Sequence, residues 1–265
     1  MTQSLTPQIT PEISSRKPSP DDFEKPAIPD LTNVTIDNSE PVDNLISEKQ
    51  QRLLVSSLYS SFNVSEPFLA TANVGLFYAA NKPPLVPDIM LSLGVTLPED
   101  WSEKKDQSYF TWNFGKSPEI VVEIVSNKVG NELGNELGTK LKDYSQARVG
   151  YYVVFDPFHY LGKPNLYIYQ LKGINYQLIS TNWLEEIGLG LTIWEGEFEG
   201  KSYQWLRWCD EQGQILLIGD EKVALEKQRA DQEKQRADEE KQRADQERKR
   251  VEYLEEILRS QGINF

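Results

Sequence analysis

Three residues, Asp88, Glu123 and Lys140, have types and positions that could support metal-dependent hydrolysis of a phosphodiester. They lie in the segments VPDIMLSLGV, EIVVEIVS and GTKLKDY, which predict a strand, a strand and a helix in that order. Two carboxylates at strand ends can share a hard cation such as Mg²⁺, which favours oxygen ligands and needs only one or two protein carboxylates. A nearby ammonium group could orient the attacking water and offset charge on a phosphoryl oxygen.

The apolar pattern of the third segment distinguishes between its two lysines. Apolar residues recur at helical spacing and form a stripe that should face a sheet: Leu137, Leu141 and Tyr144. At about 100° per residue, Lys140 lies beside this stripe, whereas Lys142 lies well over a right angle away from it. We therefore expect Lys140 to reach the sheet and Lys142 to be solvated. Lys128, in the preceding loop, is the least favoured of the three candidate lysines for the site.

Glu123 lies in a strand that is otherwise apolar. The side chains alternate between two faces, with Val121, Glu123 and Val125 on one of them. A continuous β-branched run indicates burial on both faces, and a carboxylate in such a place is seldom buried unless it is paired or metal-bound. Asp88 has an ordinary alternative role, because Asp after Pro87 is typical of a turn that begins a strand.

These segments, with VGYYVVFDP after them, resemble the PD-(D/E)XK nuclease superfamily and, more closely, its Uma-two-type family of bacterial restriction-endonuclease-like proteins. The resemblance covers residues 46 to about 200, and the matching motifs are Pro87-Asp88 before an apolar strand, Glu123 in a strand ending at Ser126, Lys140 with Tyr144 four residues on, and Tyr152 through Asp156-Pro157. One departure concerns the superfamily's usual lysine, expected two residues after the second acid, where this chain has Val125. In the resembling family that lysine lies on the following helix, which again indicates Lys140.

The resemblance implies a set of roles for the site. Asp88 and Glu123 would hold Mg²⁺, or Mn²⁺, with help from the Ile124 carbonyl, and Lys140 would position the attacking water. Tyr144 would be a supporting residue, with helix packing as its structural alternative.

Two further acids have roles that the sequence leaves open. Asp156 would be a second supporting residue, with a turn before Pro157 as its structural alternative. Glu48, near the start of the first predicted helix, is expected to be solvated, although an acid of that helix sometimes adds to the metal site in the superfamily.

Composition limits the other classes of site. The chain of 265 residues has one cysteine, Cys209, and one histidine, His159, so it can form no intrachain disulfide, no His-rich zinc site and hardly a Ser-His-Asp triad. The sequence has no apolar run near the about 20 residues of a membrane span and no signal-peptide pattern. We expect a cytoplasmic protein that does not enter a membrane.

The chain divides into three compositional zones. Residues 1–45 are acidic and proline-rich and predict a disordered segment. Residues 46–220 predict one restriction-endonuclease-like domain of α/β or α+β class, with a mixed sheet flanked by helices. The predicted elements are a helix over 45–62, strands over 68–72, 76–80, 88–93 and 120–126, a helix over 137–147, and strands over 151–155, 166–170 and 176–180.

Residues 221–265 predict a long charged helix. The heptad EKQRADQ repeats from Glu226, and one apolar position recurs every seven residues: Ala230, Ala237, Ala244, Val251 and Leu258. The second apolar position of a coiled coil is missing, while charged pairs at helical spacing support an isolated helix. A single helix and a weak coiled coil that forms a homodimer both remain open.

Charge opposes DNA binding in part. Residues 46–220 hold 14 basic and 21 acidic residues, a net charge of −7 (14 − 21), whereas nucleic-acid binders usually carry a basic surface. The sequence nevertheless favours a Mg²⁺-dependent endonuclease acting on DNA. The alternatives are an inactive nuclease fold that recruits partners through its C-terminal helix, and a carboxylate-pair glycosidase, which leaves Lys140 unexplained.

Overall fold

The computed structural model describes residues 44–102, 106–126 and 139–261. The predictions for the N-terminal segment, for Lys128 and for Leu137 lie outside these residues.

A six-stranded mixed sheet forms the centre of the fold, in the order β1-β3-β5-β6-β7-β8. Its strands are β1 (Phe68–Ala72), β3 (Ile89–Leu93), β5 (Ile120–Ile124), β6 (Tyr151–Phe155), β7 (Leu166–Lys172) and β8 (Asn175–Leu178). Within this sheet only β5 and β6 pair in parallel, and the other neighbours are antiparallel. Parallel neighbours need a crossover connection, and helix α3 (Thr139–Gln146) lies in this one.

The remaining described elements surround this sheet. Two short strands pair in parallel, β2 (Leu76–Phe77) and β4 (Tyr109–Phe110), and three form a separate antiparallel sheet, β9 (Trp183–Leu184), β10 (Leu189–Phe198) and β11 (Lys201–Cys209). The other helices are α1 (Leu45–Ser61), α2 (Thr111–Phe114) and α4 (Gly219–Ser260).

Each face of the central sheet is covered by its own apolar core, as the alternation in β5 predicts. On the face that we call the α1 face, Val122 packs with Leu54 of α1 and with Trp208 of β11. On the opposite face, the α3 face, Val121 packs with Met90 and with Tyr144 of α3. Because both faces are covered, all five residues of β5 are buried, Glu123 included.

Most predicted elements are present, several of them shorter than expected. The strands predicted over 76–80 and 120–126 cover only residues 76–77 and 120–124. The hairpin of β10 and β11 was not predicted. Its glycines weaken the strand pattern, yet Gly190 is needed there, because a Cβ at this position would lie 2.7 Å from Cys209 Sγ.

Within the described residues, helix α4 is anchored to the domain at its beginning. The Arg207 side chain, 1% exposed, donates to both carboxylate oxygens of Glu221 at 2.9 and 2.7 Å. The expected domain boundary at residue 220 is therefore crossed by an ion pair whose arginine is buried. Beyond this point α4 buries no residue, and at 1.5 Å per residue its 42 residues extend about 63 Å. None of the helices within the described residues is long and apolar enough to span a membrane.

Candidate active site

The antiparallel pairing of β3 with β5 brings Asp88 and Glu123 together. Ile89 pairs with Val122, so the same register places Asp88, one residue before β3, opposite Glu123. Asp88 alternates with Ile89 and lies on the side of Met90, which is the α3 face. Directly opposed Cβ atoms on one face are about 4.5–5.5 Å apart. Two carboxylates therefore meet at one end of this strand pair.

Asp88 is held by hydrogen bonds to both carboxylate oxygens. The side-chain amide of Gln51 donates to Oδ1 at 3.0 Å. The backbone amide of Ile124 donates to Oδ2 at 2.6 Å. The second bond joins Asp88 to the residue that follows Glu123, so the positions of the two acids are coupled.

Glu123 is almost fully buried, and its two oxygens accept from two residues of α3. Lys140 Nζ lies 2.7 Å from Oε2, and the hydroxyl of Tyr144 donates to Oε1 at 2.5 Å. Burial, together with the negative charge of Glu123, raises the pKa of the Tyr144 hydroxyl well above its ordinary value. Tyr144 therefore stays protonated and acts as a donor to the carboxylate.

Helix α3 presents these two donors because they are four residues apart and so lie on the same side of the helix. Tyr144 is 1% exposed, and Leu141 packs against the same core. The Lys140 side chain, at the edge of this buried stripe, is 35% exposed. Lys142 points to solvent. The positions of the two lysines agree with the helical-face argument, while their roles stay predictions.

Gln51 is a site residue that sequence reasoning missed. It lies on α1 and is 4% exposed, and its Oε1 accepts from Asn73 Nδ2 at 3.0 Å while its amide donates to Asp88. The sequence signal that could have identified Gln51 is its position just before Leu53 and Leu54, two residues of the first helix that face the core. Glu48 on the same helix is exposed and pairs with Arg52, so it lies where a solvated residue was expected.

Asp156 lies at the turn after β6. It is fully buried, and its carboxylate accepts from the backbone amides of Leu161 at 2.6 Å and Phe158 at 3.3 Å. These are the contacts of a residue that closes a turn. Of the two roles expected for Asp156, these contacts match the structural one, a turn before Pro157.

The donor set at Asp88 and Glu123 fits a hard divalent cation. Its atoms are carboxylate oxygens, with the Ile124 carbonyl next in the chain as a further oxygen. A carboxylate oxygen has two lone pairs, so it can accept a hydrogen bond and also bind a cation. Mg²⁺ suits such a site, since it binds through one or two carboxylates and keeps several waters.

Other metal classes find less support. Among residues 44–102, 106–126 and 139–261, no group of three His, Cys, Asp or Glu side chains could hold a metal ion. His159 is exposed in a turn, and Cys209 is buried, which raises the pKa of its thiol. A zinc site built from imidazole or thiolate ligands is therefore not present in this part of the chain.

Comparisons with known proteins relate the chain to a family and to a solved structure. The Uma2 family model, described as a putative restriction endonuclease, matches residues 35–194. A crystal structure of a putative nuclease from Anabaena variabilis is similar over 54% of this chain and 72% of that chain, with 13% identity and a TM-score of 0.38. No curated protein matches the sequence. Because the family model covers more than half of its length, the chain belongs to the Uma2 family.

Proposed function

We propose that this protein is a Mg²⁺-dependent endonuclease that hydrolyses phosphodiester bonds in DNA. The observation that carries the proposal is the arrangement of Asp88 opposite Glu123, with Lys140 Nζ 2.7 Å from the Glu123 carboxylate. Acidic oxygens and one cation at the same strand ends are the groups that phosphodiester hydrolysis requires.

Asp88, Glu123 and the Ile124 carbonyl would hold the cation. A bound Mg²⁺ would act as a Lewis acid toward a phosphoryl oxygen and would favour ionisation of the attacking water. Mn²⁺ offers the same chemistry to the same oxygen ligands.

Lys140 is suited to act on water and phosphate because its ammonium group is partly exposed. Its Nζ carries three N–H donors and directs one of them to Glu123. Lys140 would thereby orient the water and offset negative charge in the transition state. Tyr144 and Gln51 would position the two carboxylates, since each donates to one of them.

The acidic surface sets a condition on this proposal. Phosphate neutralisation supplies most of the affinity of proteins for DNA, and residues 46–220 carry a net charge of −7 (14 − 21). Binding of DNA without a metal should therefore be weak. A divalent cation at Asp88 and Glu123 would remove part of the repulsion.

The second candidate function is that of an inactive nuclease fold that recruits partners through α4. This helix is fixed at its beginning by the Arg207–Glu221 pair, and its far end exposes Val251, Tyr253 and Leu254. A rigid helix with apolar residues at its far end suits a partner-binding role. Absence of cleavage together with an intact fold would favour this candidate.

Cleavage of supercoiled plasmid DNA tests the proposal. We expect wild-type protein to nick or linearise the plasmid with Mg²⁺ and not with EDTA. Asp88→Asn and Glu123→Gln remove one charge each at nearly unchanged volume, and both should abolish cleavage. Equal activity in the wild type and both variants would indicate a contaminating nuclease and would contradict the proposal.

A further inference from the structure

A groove beside edge strand β1 is a second feature of the α3 face. Its lining includes Tyr59 of α1, Thr71 of β1, and Leu97, Trp101 and Asp106 of the segment between β3 and β4. We call it the β1 groove. Its volume is about 210 Å³, below the roughly 300–1,000 Å³ of sites for drug-sized ligands. The β1 groove therefore suits one planar ring system.

Two aromatic side chains of the β1 groove are fixed in place although both are exposed. Trp101 is 57% exposed, and its indole N–H donates to the Pro98 carbonyl at 2.9 Å. The Tyr59 hydroxyl accepts from the Ala70 amide at 3.1 Å, and its ring stacks on Phe68 at 5.1 Å between centroids. Ordered aromatic faces open to solvent are the surfaces on which nucleobases stack.

The β1 groove also contains polar groups suited to the edge of a base. The Asp106 carboxylate can accept from a ring N–H of a base, such as N3–H of thymine, and would repel a phosphate. Thr71 Oγ1 is buried at the groove and has no hydrogen-bond partner among the described residues. A base in the groove with its phosphate outside it matches this distribution of charge.

The register of β1 places the β1 groove next to the candidate active site. Thr71 pairs with Met90, so Asp88, two residues before Met90, is a diagonal neighbour of Thr71 on the same face. Diagonal neighbours in an antiparallel pair lie about 7–8 Å apart. A nucleotide whose phosphate lies at Asp88 could therefore reach the groove with its base.

We infer that the β1 groove binds one unpaired nucleobase of the DNA strand that the site cleaves. The inference rests on the proposed function and adds a substrate class to it, single-stranded or locally unpaired DNA. A base inside a duplex is stacked on its neighbours and reaches such a groove only after it is extruded, which costs a few kcal/mol. Single-stranded DNA avoids this cost.

Binding of labelled oligonucleotides tests the inference apart from cleavage. The full-length Asp88→Asn protein, in which cleavage is prevented and one acid of the site is removed, is titrated into fluorescein-labelled oligothymidine, into an abasic strand of the same length and into a duplex, and anisotropy is measured. We expect oligothymidine to bind more tightly than the abasic strand and the duplex. Equal affinity for oligothymidine and the abasic strand would overturn the inference.

Trp101→Ala and Trp112→Ala form a matched pair in the same background. Trp112 is 53% exposed and packs on Phe110, outside the β1 groove. Loss of one stacked base should weaken binding about 5- to 150-fold in Trp101→Ala, corresponding to 1–3 kcal/mol, and Trp101→Phe should restore part of it. Trp112→Ala should bind normally. Equal affinities of the Trp101→Ala and Trp112→Ala proteins would overturn the inference.

Different results would show that the endonuclease proposal fails and that the base site in the β1 groove fails. If the wild type cleaves plasmid while base-dependent binding is absent, the endonuclease stands and the β1 groove has another occupant, such as an apolar peptide. If oligothymidine binding depends on Trp101 while no DNA is cleaved, the base site stands and the endonuclease fails.

Discussion

Replacement of Lys140 by alanine should abolish cleavage and lower stability moderately, whereas the same change at Lys142 should do neither. Both lysines lie on α3, two residues apart, so each substitution removes one positive charge from the same region. Their long-range effect on DNA is therefore nearly equal. What differs is the contact between Lys140 Nζ and Glu123 Oε2 at 2.7 Å.

The stability effect follows from this contact. A hydrogen bond to a charged group contributes about 1.5–3 kcal/mol, and Glu123 is only 2% exposed. Because the Lys140 side chain is 35% exposed, solvent screening reduces the loss, and we expect about 1–2 kcal/mol for Lys140→Ala. Lys142→Ala should stay within about 0.5 kcal/mol of the wild type. Urea unfolding at equilibrium measures both differences.

The catalytic effect should be larger than the stability effect. Removal of one donor that stabilises transition-state charge typically costs about 100- to 1,000-fold in rate, so Lys140→Ala should lose cleavage by that factor at unchanged DNA affinity. Since lysine is not a metal ligand, the rise in melting temperature with Mg²⁺ should persist. This rise should be larger in Lys140→Ala than in the wild type, because the variant lacks the ammonium group that balances the charge of Glu123 when no metal is bound.

Two outcomes would refute this reasoning. Equal loss of cleavage in Lys140→Ala and Lys142→Ala would show that net charge on α3, not contact with Glu123, supports activity. Loss of the Mg²⁺-dependent rise in Lys140→Ala would show that Lys140 is needed to build the metal site.

Three further predictions concern the supports of the site and the beginning of α4. Tyr144→Phe should cost about 1.5–3 kcal/mol in urea unfolding, because it removes a donor to a buried carboxylate; Tyr176→Phe, which loses a bond to the Val149 carbonyl, should cost about 0.5–1.5 kcal/mol. Truncation after Leu225 should leave the melting temperature unchanged, whereas truncation after Gly219 should lower it. The reason is that the second truncation leaves the buried Arg207 without Glu221, which costs about 3–5 kcal/mol. Equal melting temperatures of the two truncated proteins would contradict the anchoring role of Glu221. Burial acts to raise the pKa of Glu221, but Arg207 holds this pKa below its ordinary value of 4.5. The ion pair therefore stabilises the fold above pH 4.5, and this stabilisation is lost as pH falls through the lowered pKa. The difference in unfolding free energy between wild type and Glu221→Gln should shrink in that range.

Local sequence patterns predict much of the central sheet and of the site. The alternation in β5 predicts that Glu123 lies buried among apolar residues, and the stripe of α3 predicts that Lys140 rather than Lys142 reaches it. These predictions succeed because side-chain direction in a strand or helix depends only on local periodicity.

The features that local patterns miss depend on distant contacts. Gln51 lies 37 positions from Asp88 in the chain, and nothing near it indicates which acid it binds. In the β10–β11 hairpin, β10 contains two glycines, so its local preference for strand is weak and its pairing with β11 stabilises it. The pairing of Glu221 with Arg207 likewise crosses a boundary that composition alone places at residue 220.

Calorimetric titration with Mg²⁺, and with Mn²⁺ as a second probe, tests most directly whether Asp88 and Glu123 share one divalent cation. The wild type should bind one ion per chain. Asp88→Asn should lose this binding, while Glu48→Gln, which removes an exposed acid of α1, should keep it. Undiminished binding of one ion by Asp88→Asn would contradict the shared site.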